Sequence, residues 1–130
     1  MENRKAKLLI IDDEPDLVEA LQLRFMSSGF EVETAPDGDA GLDKVRSWMP
    51  DVVLLDVAMP KLSGWEVCRA LRSEGRTREL PVVVMTAAIL PDVEERAREC
   101  GASAIVRKPF DDRQLVRTVR DQLEHRTGVP

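Results

Sequence analysis

A chain of 130 residues with 43 % apolar and 33 % charged side chains has the balance of one folded domain, and its net charge of −5 makes it a poor partner for a phosphate backbone. No apolar run reaches the roughly 18 residues that cross a bilayer, and the short apolar run ahead of the first acids is too brief for the core of a secretory signal. Cys68 and Cys100 stand alone, without disulfide or metal-ligand spacing, and read as buried reduced thiols of a cytoplasmic protein.

The first β-rich run is KLLII (7–11), which ends in Asp12, Asp13 and Glu14 with Pro15 suited to a first helical turn. Over 15–28, Leu17, Val18, Leu21 and Phe25 share one helical face. EVETA (31–35) alternates, as an edge strand does. A helix follows over 37–48, opened by APDG and carrying Ala40, Val45 and Trp48 on one side. DVVLLD (51–56) is continuously apolar until it finishes in Asp56. Val67, Cys68 and Leu71 stripe a helix over 64–74, with Gly75 as its stop. PVVVM (81–85) is another apolar run, and Thr86 follows it. Over 92–100 the stripe is thin, Val93, Ala97 and Cys100, and Gly101 ends it. ASAIVR (102–107) leads into Lys108 and Pro109, and Leu115, Val119 and Leu123 mark a last helix over 111–125 capped by Asp111 or Asp112. Five strands alternating with five helices predict an α/β fold, a doubly wound parallel sheet covered on both faces through right-handed crossovers.

In such a sheet, chemistry collects outside the carboxyl ends of the strands. Each end here carries something: Asp12 and Asp13, then Asp56, Thr86 and Lys108. Taken singly, the acid pair or the threonine could cap a helix, and the lysine could lie on the surface. If the first and third strands are neighbours, however, three carboxylates crowd together. Two of them about 4 Å apart repel by roughly 4 kcal/mol at an effective dielectric of 20. Protons or a cation must settle the site, and a hard divalent ion with oxygen ligands suits it.

The stretches IIDDEP, LLDVAMPKLSG, VVVMTA and IVRKPF, in that order, resemble the response-regulator receiver domain of two-component signalling, over residues from about 7 to 125. The resemblance implies a flavodoxin-like (βα)5 sheet in the order 2-1-3-4-5. It implies transfer of a phosphoryl group from the phosphohistidine of a sensor histidine kinase, or of a histidine phosphotransfer protein, to Asp56. It implies Mg²⁺ held by Asp13, Asp56 and the backbone carbonyl of Ala58, with Asp12 reaching the ion through water. Thr86 takes the place of the hydroxyl that meets the phosphoryl oxygen, Lys108 that of its paired cation, and the Lys108–Pro109 bond that of a peptide usually cis. Such a domain is a signalling phosphoacceptor rather than an enzyme. It switches an output domain or target protein, with no nucleic acid or membrane contact of its own, as a monomer or weak homodimer. Residues 1–126 read as the receiver and 127–130 as a tail or the start of a linker.

Two departures stand out. The position three residues before the lysine, aromatic in most of the family, is Ile105, so the usual aromatic readout is missing or replaced. Ala58 and Ala88, two residues beyond Asp56 and Thr86, are both small, which leaves an acyl phosphate open to attacking water. The rival readings are a haloacid dehalogenase-like phosphatase, which would need an acid where Ala58 stands, and a degenerate receiver that only binds partners.

Overall fold

In the computed structural model, which describes residues 4–59, 62–87 and 91–126, the chain alternates strand and helix throughout. The elements are β1 (Lys7–Ile11), α1 (Pro15–Ser27), β2 (Glu31–Ala35), α2 (Gly38–Trp48), β3 (Val52–Asp56), α3 (Gly64–Ser73), β4 (Val82–Ala87), α4 (Val93–Cys100), β5 (Ala104–Lys108) and α5 (Asp112–Arg126). All strands are parallel, in the order β2-β1-β3-β4-β5. The expected doubly wound sheet is therefore the observed one. Ala88 and the tail at 127–130 lie outside the described residues.

The apolar runs explain the strand order. β3 is buried along its whole length, and β1 and β4 nearly so, because neighbours cover both edges and helices both faces. The alternating β2 takes one edge, and the half-buried β5 takes the other. Side chains then sort by parity. Leu9, Ile11, Val53, Leu55, Val82 and Val84 point to one apolar cluster, closed by Val45 of α2, Val67, Cys68 and Leu71 of α3, and Val93, Ala97 and Cys100 of α4. Leu8, Ile10, Val52, Leu54, Val83 and Met85 point to the other, closed by Leu21 and Phe25 of α1 and Leu115 and Val119 of α5.

Helix ends follow local chemistry. Asp37 caps α2 by accepting from the Ala40 N–H at 2.9 Å, Ser63 and Glu66 form a capping box on α3, and Asp111 caps α5 through the Arg113 N–H at 2.8 Å. Gly101, at φ +84°, closes α4 in the left-handed conformation as its position suggests. Gly75 does not close α3. That helix stops at Ser73, and the Thr77 hydroxyl takes the Leu71 carbonyl at 2.5 Å instead. β4 runs two residues past the end of its apolar stretch because Thr86 and Ala87 still have partners, Arg107 and Lys108, on β5.

One side chain ties the far end of this arrangement. Arg72 donates to the carbonyls of Gly101 at 2.8 Å, Leu80 at 2.7 Å and Thr77 at 3.2 Å, joining α3 to the loops before β4 and β5. Arg72→Ala takes a donor from the part-buried Leu80 carbonyl and unties α3 from the two loops, and is expected to cost about 1–3 kcal/mol, read as a lower urea midpoint with an unchanged m-value.

Candidate functional site

The register brings the strand ends into one row. Ile11 pairs with Leu55 and Asp56 with Met85, so the residues after β1, the last residue of β3 and Thr86 of β4 emerge side by side. Asp12, Asp13 and Asp56 each offer a carboxylate oxygen, and these oxygens lie within 4.8 Å of one another. Asp12 and Asp56 are buried, whereas Asp13 faces solvent. Asp12 accepts the Glu14 N–H through Oδ1 at 2.9 Å, while its Oδ2 is buried without a hydrogen-bond partner. Asp56 accepts the Ala58 N–H through Oδ1 at 3.1 Å. Lys108 reaches in from the end of β5, its Nζ 3.8 Å from Asp12 Oδ2 and 3.9 Å from Asp56 Oδ1. Thr86 is fully buried, its hydroxyl donating to the Ala87 carbonyl at 3.3 Å. The Lys108–Pro109 peptide bond is cis.

Asp12, Asp13, Asp56, Thr86 and Lys108 thus all stand at this one edge. Two further participants were not legible in the sequence. Glu14 lies 3.4 Å from Lys108 Nζ and shares that cation with the aspartates; a third acid beside a strand-end pair was its signal. Gly64, the first residue of α3, lets that helix lie directly against the end of β3, since a Cβ there would come within 2.3 Å of the Asp56 carbonyl oxygen. Ile105, by contrast, is half-buried and packs toward the α3 and α4 side.

Electrostatics carry the cost of this crowding. Burial pushes the Asp12 carboxyl from 3.8 up to about 6, with the charges of Asp56 and Glu14 adding, against the Glu14 N–H and Lys108. Burial likewise raises Asp56, with Asp13 and Glu14 adding and the Ala58 N–H and Lys108 opposing. Because the folded state binds the Asp12 proton more tightly than the unfolded chain, its stabilising contribution is complete below pH 3.8 and is lost as pH rises through about 6. That interval is worth roughly 3 kcal/mol. Without divalent cations, Asp12→Asn should therefore be the more stable protein at pH 7, by up to about 3 kcal/mol, with the advantage vanishing toward pH 4. Urea titrations of both proteins in a chelator across that range measure the difference.

A buried carboxylate oxygen without a hydrogen-bond donor, a second buried acid and a third exposed one form an oxygen-rich set that fits a hard divalent cation. No described helix is long and apolar enough to cross a membrane.

Comparison with known proteins agrees with this geometry. The family model described as response regulator receiver domain matches residues 8–120. The DNA-binding response regulator MtrA of Mycolicibacterium smegmatis is 35 % identical over all of this chain and 56 % of its own length. The DNA-binding dual master transcriptional regulator RpaA of Synechocystis is 32 % identical over 95 % of this chain and 52 % of its own. The chain therefore spans about half the length of these relatives. Among solved structures, the chemotaxis protein CheY4 of Vibrio cholerae superposes with a TM-score of 0.86 at 30 % identity, covering 91 % of this chain and 98 % of that one. With a five-stranded sheet in the order 2-1-3-4-5, a family match over nearly the whole fold and relatives above 30 % identity over nearly all of its length, the chain belongs to the response regulator receiver domains of two-component systems.

Proposed function

We propose that this receiver domain acts by accepting a phosphoryl group on Asp56 from the phosphohistidine of a sensor histidine kinase or a histidine phosphotransfer protein, with Mg²⁺ as cofactor. The observation that carries the reading is the convergence of Asp12, Asp13 and Asp56, with a buried Asp12 oxygen that has no hydrogen-bond donor. Asp13, Asp56 and the Ala58 carbonyl would hold the ion, with Asp12 contributing through water. When bound, Mg²⁺ supplies positive charge that neutralises the carboxylates and the phosphoryl oxygens.

The chain's own residues do the rest by position. The Ala58 N–H holds Asp56 Oδ1, which leaves Oδ2 as the oxygen that attacks phosphorus. As the O–P bond forms the P–N bond to the donor imidazole breaks, and the histidine leaves with its electron pair. Lys108 places an ammonium beside the incoming oxygens, and the Thr86 hydroxyl is close enough in the register to turn from the Ala87 carbonyl toward the product. A stiff, fully buried strand mounts the nucleophile. The relatives are named DNA-binding regulators, and the net charge of −5 supports placing nucleic-acid contact outside this chain. The small Ala58 supports a short-lived acyl phosphate.

Incubation with acetyl phosphate and Mg²⁺, followed by intact mass, tests the proposal. One added phosphoryl group is expected, and none when a chelator is present. An unchanged mass with Mg²⁺ present would sink it.

A further inference from the structure

Cys68 and Cys100 are separate in the sequence but meet in the fold, away from the strand-end site. Cys68 comes from the inward face of α3, Cys100 is the last residue of α4, and both are buried. Cys68 Sγ donates to the Cys100 carbonyl oxygen at 3.3 Å and Cys100 Sγ to the Ala97 carbonyl at 3.5 Å, so the Cys68 side chain lies directly against residue 100 in the buried seam between α3 and α4. Two small apolar side chains would fill this space equally well. A pair of thiols can do something more, because a cysteine sulfur lying 3.3 Å from its partner's own backbone is near enough for a rotamer change to bring the two sulfurs to the roughly 2.05 Å of a disulfide.

We propose that Cys68 and Cys100 form a redox-modification site at which a peroxide closes an intramolecular disulfide between α3 and α4. The environment divides the labour. The Cys100 thiol is held down by the neighbouring Cys68 and by the Ala102 N–H, so it is the one that ionises, while the neighbouring Cys100 and burial hold Cys68 up. Access comes from position. α4 has only eight residues and three buried anchors, and Cys100 closes its last turn before the left-handed Gly101. Helix ends of this kind open first. The Cys100 thiolate then attacks one oxygen of hydrogen peroxide, the O–O bond breaks and hydroxide leaves, giving a sulfenic acid. The Cys68 sulfur attacks the Cys100 sulfur, the S–O bond breaks, and water leaves with the Cys68 proton. Two thiols are oxidised by two electrons and one peroxide is reduced to two waters. The product fastens the end of α4 to α3 across 32 positions of sequence.

The full chain treated with hydrogen peroxide is expected to lose two hydrogens by intact mass. It should then take up no iodoacetamide after unfolding, and regain two alkylation sites with dithiothreitol. Proteolysis without reductant should yield one linked peptide pair holding positions 68 and 100. This readout needs no variant. Cys68→Ser, which keeps a donor beside Cys100 but no resolving sulfur, should leave Cys100 as a sulfenic acid that dimedone traps, whereas Cys100→Ala should leave Cys68 unmodified. Two alkylatable thiols after peroxide, or thiol loss accompanied only by added oxygen in the parent chain, overturns the proposal.

Discussion

Asp56→Asn is expected to take up no phosphoryl group from acetyl phosphate and, in the same preparation, to unfold at a higher urea concentration than the parent protein without divalent cations. Asparagine keeps the shape of the side chain and can still accept the Ala58 N–H, so β3 and its exit need not move. What disappears is the charge. An amide oxygen is too poor a nucleophile to open phosphorus, so uptake falls below detection rather than by a modest factor. The gain in stability has a separate origin. Asp56 sits within 4.8 Å of two other carboxylates, a repulsion of a few kcal/mol at an effective dielectric of 20, of which Lys108 offsets part; removal is expected to leave a net gain of about 1–2 kcal/mol. Persistent labelling of Asp56→Asn would move the acceptor elsewhere. A loss of stability would show that the acids do not oppose one another.

Gly64→Ala should be the most damaging single methyl in the described structure. Its Cβ would lie 2.3 Å from the Asp56 carbonyl oxygen and 2.6 Å from Val57 Cα, both backbone atoms with no rotamer through which to yield. Either α3 lifts from the sheet or the β3 exit shifts. The expected cost is about 3 kcal/mol, the upper part of the range for overpacking. Phosphoryl uptake should slow as well, because the displaced backbone carries both Asp56 and the Ala58 N–H. Gly75→Ala is the control. Nothing lies within 4 Å of a Cβ there and its backbone is not left-handed, so the substitution should be neutral or stabilising by up to about 1 kcal/mol. Urea titration of the two variants side by side separates a steric effect from a general intolerance of alanine.

Much of this was legible in the chain because apolar continuity and strand ends are local properties. The runs at 7–11, 51–56 and 81–85 announce inner strands by their unbroken apolar stretches, and the acids and threonine are visible where those runs stop, as the lysine is after 102–107. Strand order was not local, and rested on resemblance to a family. Nor could the sequence tell that Asp12 is buried while Asp13 is exposed, since that depends on how the chain turns after Ile11. Helix stops were mixed. Gly101 serves as its position suggests, but Met49 closes α2 in the left-handed region, where a side chain is uncommon, and Gly75 closes nothing. The meeting of Cys68 and Cys100 depends on how α3 lies against α4, which no spacing encodes.

The sheet divides the apolar interior into two bodies that share backbone but no side chains. Leu54 and Leu55 are adjacent in β3 yet belong to different bodies, the first packed with α1 and α5, the second with α2, α3 and α4. Neighbours in a chain ordinarily couple when both are truncated. Here the partition makes them thermodynamic strangers, so the losses from truncating each should simply add, while Leu55 should couple to Val67, a dozen positions away but on its own side.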